Sequence, residues 1–161
     1  MTALTADELL AWLERTSGGW RTLLAEHPEA LDFPCDVREA QRVGDLMQHV
    51  VAVELRYAER LAGVPETGYD AVPTGPVDAL FTVHDRAMSL LRDVLARPGV
   101  DWEEVLEFTT RSAGTLRASR RTVLVHLAMH SIRHYAQLAT LVRQRGIRPD
   151  WLMDYLLMGL V

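Results

Sequence analysis

Apolar residues recur every three or four positions in four long segments of the chain, and each segment is followed by a proline or a glycine. Such spacing is typical of amphipathic helices, and the breakers limit where each helix can end. Four long helices with little sheet predict an all-α fold, a four-helix bundle. The expected helices are Thr5 to about Glu26, about Arg38 to Leu61, near Pro76 to Pro98-Gly99, and Thr122 to about Arg145.

Shorter elements are expected around this bundle. Residues Val105 to Ala118 flank a turn signal and predict a short hairpin before the last long helix. A short C-terminal helix is expected from Asp150 to Leu160. The pair Gly18-Gly19 lies in the middle of the first helix, where it predicts a kink or a close helix contact.

The composition bounds the class of protein. The 161 residues, 48% apolar and 24% charged, fit one domain spanning residues 1–161. No apolar run approaches the roughly 20 residues of a membrane helix, and the pattern of a secretory signal is missing, so we expect a cytoplasmic protein without a membrane partner. Cys35 is the single cysteine, which excludes an intrachain disulfide and a four-thiolate zinc site. Any metal must therefore be bound by histidines and carboxylates.

Three histidines are candidates for a metal site. His130 and His134 are four residues apart on the predicted inward stripe of the fourth helix, so their imidazoles share one face. His49 occupies the equivalent stripe of the second helix and reaches the same interior if the two helices are neighbours. Three such imidazoles can hold a divalent ion and leave a coordination position open. The alternative is that each is an ordinary core histidine with a hydrogen-bond partner.

Other residues receive weaker assignments. His126 precedes His130 by one turn, but the helical twist makes it a second-shell, substrate or core residue and not a third ligand from this helix. Glu54 is rotated away from His49 and is interpreted as a substrate-side or second-shell carboxylate. His27 at a helix end and His84 on an expected exposed face are assigned structural roles. Zinc-protease, di-iron, phosphate-loop and serine-hydrolase motifs are absent from the sequence.

Several segments together resemble a known family. They are His49 with Glu54, the run from His126 to Gln137, the run from Leu141 to Gly146, and Asp154-Tyr155-Leu156. Over essentially its whole length the chain resembles the DinB/YfiT-like metalloprotein superfamily. The resemblance implies a four-helix bundle of unusual connectivity and a divalent metal, zinc or nickel, ligated by His49, His130 and His134. The family's usual His-Arg-Gly-Gln is replaced by His134-Tyr135-Ala136-Gln137, a departure that bears on substrate contacts more than on metal binding.

The resemblance also implies an activity. Similar proteins include S-transferases that use low-molecular-weight thiols such as bacillithiol or mycothiol, and a thiol-dependent isomerase. A metal with an open position can lower the pKa of a bound thiol and hold the thiolate for attack on an electrophile. In that hypothesis His126, Glu54, Tyr57 and Gln137 are candidates for orienting substrate or moving protons. A metal-dependent hydrolase, and a non-catalytic metal-binding stress-response or interaction protein, are the alternatives.

Two surface features bear on partners. Arg111, Arg117, Arg120 and Arg121 cluster around the predicted hairpin, but the acidic net charge of −5 and the lack of a DNA-reading motif argue against nucleic-acid binding. The C-terminal residues 151–160 are crowded with apolar side chains. Together with the family resemblance, this crowding predicts a homodimer, with packing against the bundle alone as the alternative.

Overall fold

The computed structural model describes residues 4–111 and 113–159. These residues form a mainly helical fold with four α-helices and one antiparallel pair of strands: α1 (Ala6–Glu26), α2 (Val43–Ala62), α3 (Val77–Ala96), β1 (Val105–Thr110), β2 (Gly114–Ser119) and α4 (Arg120–Arg143). Short 3-10 turns occur at Pro28–Asp32, Tyr69–Ala71 and Tyr155–Gly159. The four predicted helices and the predicted hairpin are confirmed, and the small sheet is the feature that an all-α description leaves out.

The packing order of the helices differs from their order in the chain. Helix α2 makes its main contacts with α3 and α4, whereas α1 packs against α4 and α3. Apolar residues from all four helices form one continuous core, because each helix turns its apolar stripe inward. This arrangement makes α2 and α4 neighbours, which is the condition for bringing His49 close to His130 and His134.

The start of α2 was predicted wrongly. The helix begins at Val43 and not at about Arg38. The preceding residues double back instead, since Cys35 N–H donates to Gln41 O at 2.9 Å and Arg38 has a φ of 58°. A left-handed residue cannot continue into a right-handed helix. The Asp45 carboxylate then caps α2 by accepting the Arg42 N–H at 2.9 Å.

The C-terminal segment also differs from the prediction. In place of a helix from Asp150, residues 151–154 are irregular and a 3-10 turn follows at Tyr155–Gly159; Leu160 lies outside the described residues. Long-range contacts hold the segment against α1: Trp12 Nε1 donates to Met153 O at 2.8 Å, and Trp151 packs edge-on against Trp20.

Gly19 explains part of this docking. A Cβ at that position would overlap the Trp151 ring. The predicted close contact at Gly18-Gly19 therefore exists, but it is made with the C-terminal segment, and α1 continues through both glycines as one helix. Leu152 and Leu156 remain exposed, at 50% and 79%. The homodimer stays a prediction.

The basic cluster of the hairpin is neutralised by ion pairs. Arg120 pairs with Glu104 at 2.8 Å, and Arg121 pairs with Glu103. Arg117 lies 3.9 Å from the Glu107 carboxylate. These three arginines are thus paired with carboxylates, and the lack of nucleic-acid binding stays a prediction. No helix within the described residues is long and apolar enough to cross a membrane.

Candidate metal centre

Three histidines from two neighbouring helices meet in the interior. His49 projects from α2, and His130 and His134 project from successive turns of α4. His130 is 6% exposed and His134 is 1% exposed, whereas His49 is half-buried. These three residues, here called the histidine triad, form the group of ligand-type side chains that the sequence pattern predicts.

The ring nitrogens of the triad converge. His49 Nε2 lies 3.1 Å from His130 Nε2, and one nitrogen of each ring lies within 4.8 Å of the other two. Nitrogens bound to one tetrahedral zinc ion at the usual bond length are about 3.3 Å apart. The donor set therefore fits a divalent ion with small side-chain rotations, and three imidazoles are ligands that zinc and nickel accept.

Gln137 fixes one of the three rings. His134 Nδ1 donates to Gln137 Oε1 at 2.7 Å. Because an amide oxygen only accepts hydrogen bonds, the proton of this imidazole is on Nδ1 and the lone pair is on Nε2, the nitrogen that would bind a metal. Outer hydrogen bonds of this kind orient metal-binding histidines. Gln137 thus contributes to the candidate metal site by orienting the His134 ring.

Burial makes the triad difficult to protonate. Burial, followed by the neighbouring His134, lowers the pKa of His49 to about 4 and that of His130 to about 2. Burial also lowers the pKa of His134, although the hydrogen bond to Gln137 acts in the opposite direction. A neutral imidazole is the form that binds a metal, so the triad keeps its lone pairs below neutral pH.

The metal-free protein is expected to lose stability as the pH falls from 6.5 towards 4. In that range the unfolded chain protonates His130, whereas the folded chain does not, so the free energy of unfolding decreases by about 1.4 kcal/mol per pH unit for such a group. Urea unfolding of chelator-treated protein at pH 7, 6 and 5 measures the slope. His130→Gln has no imidazole to titrate and should show a smaller slope; an equal slope in both proteins would refute the prediction.

An open cavity of about 630 Å³ borders the triad. His49 and His130 lie in its wall, and the hairpin contributes Thr110 and Leu116 to the lining. No fourth histidine, cysteine or carboxylate joins the triad among the residues that the structure describes. Structural zinc sites are closed by four protein ligands, whereas catalytic sites keep a position open. The geometry is therefore that of an open site.

His126 and Tyr57 lie beside the triad in the same cavity. The centroid of the His126 ring is 5.6 Å from that of His130 and 5.4 Å from that of Tyr57. Burial, followed by the charge of Arg133, lowers the pKa of His126. His126 is thus a neutral imidazole that reaches the cavity but is not part of the converging group.

Glu54 and His84 are placed differently from the sequence interpretation. Glu54 is fully buried and its Oε2 accepts a hydrogen bond from His84 Nδ1 at 2.7 Å, so the carboxylate does not face the cavity. His84 was expected on an exposed face but is only 3% exposed. Its Nε2 lies 2.8 Å from Ser17 Oγ. The three side chains link α1, α2 and α3 through a buried polar chain.

The three arginines that line the cavity were not identified from the sequence as site residues. They are Arg38 in the loop before α2, Arg111 at the tip of the hairpin, and Arg133 on α4. Arg133 directly precedes His134, so the metal-ligand motif itself carried a signal for it. The positions of Arg38 and Arg111 depend on how two loops fold over the triad, which helical periodicity does not reveal.

Comparison with protein families agrees with these features. The model of the DinB family matches residues 1–158, which is nearly the whole chain. This match confirms the resemblance that the histidine motifs indicated. A comparison with curated proteins found none that matches the chain.

Proposed function

The chain belongs to the DinB family, and from that premise we propose that it is a metal-dependent transferase that joins a low-molecular-weight thiol to an electrophile. The observation that carries the proposal is the open position: three imidazole nitrogens converge without a fourth protein ligand among the described residues, and two of the rings, His49 and His130, line a cavity of about 630 Å³. Such a cavity is large enough for a small thiol and a second substrate.

The triad would hold the metal, zinc or nickel, through His49, His130 and His134. A bound divalent ion supplies one chemical effect here, which is to lower the pKa of a thiol at its open position. The sulfur then forms a bond to an electrophilic carbon, and a leaving group such as chloride departs with its electron pair. Bacillithiol and mycothiol are the candidate thiols.

The remaining residues bind and move protons. His126 is neutral and reaches the cavity, so its free ring nitrogen can accept the proton that the thiol loses. Tyr57 stands 5.4 Å from this ring, between centroids, and shapes the pocket for the reacting groups. Gln137 keeps His134 in the tautomer that the ligand role requires.

The nucleophile must come from the cosubstrate. Cys35 is only 8% exposed, burial raises the pKa of its thiol, and it does not line the cavity. A thiol that is buried and protonated is a poor nucleophile. The protein's own cysteine therefore takes no part in the proposed reaction.

Thiol transfer is expected from the zinc- or nickel-loaded protein. Loaded protein is incubated with bacillithiol, mycothiol or a simple thiol together with a chlorinated or epoxide electrophile, and the conjugate is quantified by mass spectrometry. We expect the rate to fall by more than about 100-fold in His134→Ala, because a ligand is lost, and to stay within about twofold of wild type in Cys35→Ala.

Three outcomes separate the candidate functions. Conjugate formation that requires the triad supports the transferase. A loaded protein that cleaves ester or amide probes without using thiols would replace it with a hydrolase, which needs the same ligands. A loaded protein that is inert in both assays would overturn the enzymatic proposal and favour a non-catalytic metal-binding protein.

A further inference from the structure

The lining of the cavity beside the triad has an excess of positive charge, although the protein as a whole is acidic. The chain carries a net charge of −5, and most of its arginines form ion pairs with carboxylates. Arg38 and Arg133, which line the cavity, have no carboxylate within ion-pair distance among the described residues. Two guanidinium groups that line a cavity without a carboxylate partner are available to bind an anion.

Arg133 is placed next to the open position of the triad. Its Nη2 lies 3.4 Å from His134 Nε2, the nitrogen that would bind the metal. Arg133 lines the cavity, although a guanidinium cannot itself be a metal ligand. This guanidinium therefore lies in the cavity lining in direct contact with one member of the triad.

Arg38 is held at the cavity by an uncommon backbone conformation. Its φ of 58° lies in the left-handed region, which residues with a Cβ rarely adopt and which costs about 1 kcal/mol or more. The surrounding loop maintains it, through the Cys35–Gln41 hydrogen bond and a bridge between Pro34 and Arg42. Non-glycine residues in this region cluster at binding sites.

The other charged groups that line the cavity do not cancel its excess of positive charge. Arg111 stands above the Tyr69 ring at 5.0 Å and lies 3.8 Å from the Glu39 carboxylate, which is 93% exposed as a side chain. The carboxylate of Asp45, the second acidic residue in the lining, accepts backbone N–H groups at the start of α2. Neither carboxylate neutralises Arg38 or Arg133.

We propose that this cavity binds a small substrate that carries an oxyanion, a carboxylate or a phosphate, with Arg38 and Arg133 as its binding residues. The planar fork of an arginine matches both groups through paired hydrogen bonds. The inference rests on the proposed function in one respect: the oxyanion belongs to a molecule that reacts at the triad. In that setting Arg133 holds the charged group and leaves the reactive carbon or sulfur beside His134.

Binding of simple anions tests the proposal without relying on catalysis. Succinate and inorganic phosphate are titrated into metal-free and zinc-loaded protein at low ionic strength by calorimetry. We expect at least one of them to bind the metal-free protein, and affinity to fall by about tenfold in Arg133→Gln and in Arg38→Gln, since each substitution removes a charged hydrogen-bond donor. The anion that binds with the higher affinity identifies the preferred oxyanion.

Arg143→Gln is the matched control, because Arg143 is an exposed arginine of the same helix that does not line the cavity. It should keep wild-type affinity, and Arg133→Lys should retain part of the binding. Circular dichroism checks that each variant is folded. Absence of binding to the metal-free protein at low salt, or equal affinities in all four variants, would overturn the proposal.

A kinetic comparison separates this inference from the proposed transfer reaction. If thiol transfer occurs, a chloronitrobenzoate should react with a higher kcat/KM than the corresponding uncharged chloronitrobenzene, and Arg133→Gln should remove the preference. Equal values for the two electrophiles and for thiols with and without a carboxylate would contradict anion recognition while leaving transfer intact. Arginine-dependent succinate binding in a protein that transfers no thiol would support anion recognition and refute only the transferase.

Discussion

Replacing His130 with alanine is expected to lower the affinity for zinc or nickel by more than about 100-fold. Loss of a residue that only hydrogen-bonds to a metal ligand typically costs 10- to 100-fold in metal affinity. His130 would be a metal ligand itself, because its Nε2 lies 3.1 Å from that of His49. The two remaining imidazoles rarely suffice to hold an ion. Elemental analysis gives the metal content per chain, and competition with a coloured chelator gives the affinity.

His126→Ala is the matched control for this substitution. His126 is on the same helix, one turn before His130, and lines the same cavity, but its nitrogens are not part of the converging group. The variant should keep a full complement of metal. An unchanged metal affinity in His130→Ala, with the protein folded by circular dichroism, would show that the ion is bound elsewhere.

Replacing His84 with leucine is expected to destabilise the protein by about 3 to 5 kcal/mol, which corresponds to a decrease in Tm on the order of 10 °C. The substitution removes the hydrogen-bond partner of the fully buried Glu54 carboxylate, which accepts from His84 at 2.7 Å. Burial and the nearby Glu54 already raise the pKa of Tyr135 well above its usual range. A Glu54 carboxylate that lacks its His84 partner in this buried region lowers the stability of the fold.

The double variant with Glu54→Leu tests the cause. Replacing both partners by apolar residues removes the unpaired group, so the double variant should be more stable than His84→Leu alone. Glu29→Gln is the control, because Glu29 makes an exposed pair with His27 and its substitution should leave stability nearly unchanged. A loss below about 1 kcal/mol in His84→Leu would contradict the assignment of this pair to the structural core.

The sequence predicted the helices well because their apolar stripes follow the helical period, and the core of the fold uses those stripes. It placed His84 wrongly although a signal was present: Leu80, His84, Met88 and Leu91 are spaced as one helical face, and all four are buried. A polar side chain on an apolar stripe was interpreted as exposed, whereas the partners that satisfy it, Ser17 and Glu54, come from other helices. Such long-range partners are not visible in local spacing.

The two boundary errors have the same origin. The start of α2 is set by the fold of the preceding loop around Arg38, and the path of the C-terminal segment is set by the fit of Trp151 against Gly19. Both depend on contacts between residues that are distant in sequence or on a backbone conformation that arginine rarely adopts. Tertiary contacts of this kind override local helix propensity.

The residues of the candidate site that lie on helices could be predicted from the sequence. The spacing of His130 and His134 places both imidazoles on one face, and the stripe of α2 places His49 towards the same interior. The arginines of the cavity and the role of the hairpin as its wall required the arrangement of the loops. The sequence therefore predicted the proposed ligands better than the residues that would bind a substrate.

X-ray absorption spectroscopy of the zinc-loaded protein, before and after addition of a small thiol, tests the central claim most directly. A metal held by His49, His130 and His134 with an open position should show imidazole nitrogens at about 2.0–2.1 Å and should gain one sulfur at about 2.3 Å when the thiol is added. A four-coordinate site made entirely of protein ligands, unchanged by the thiol, would contradict the open metal centre.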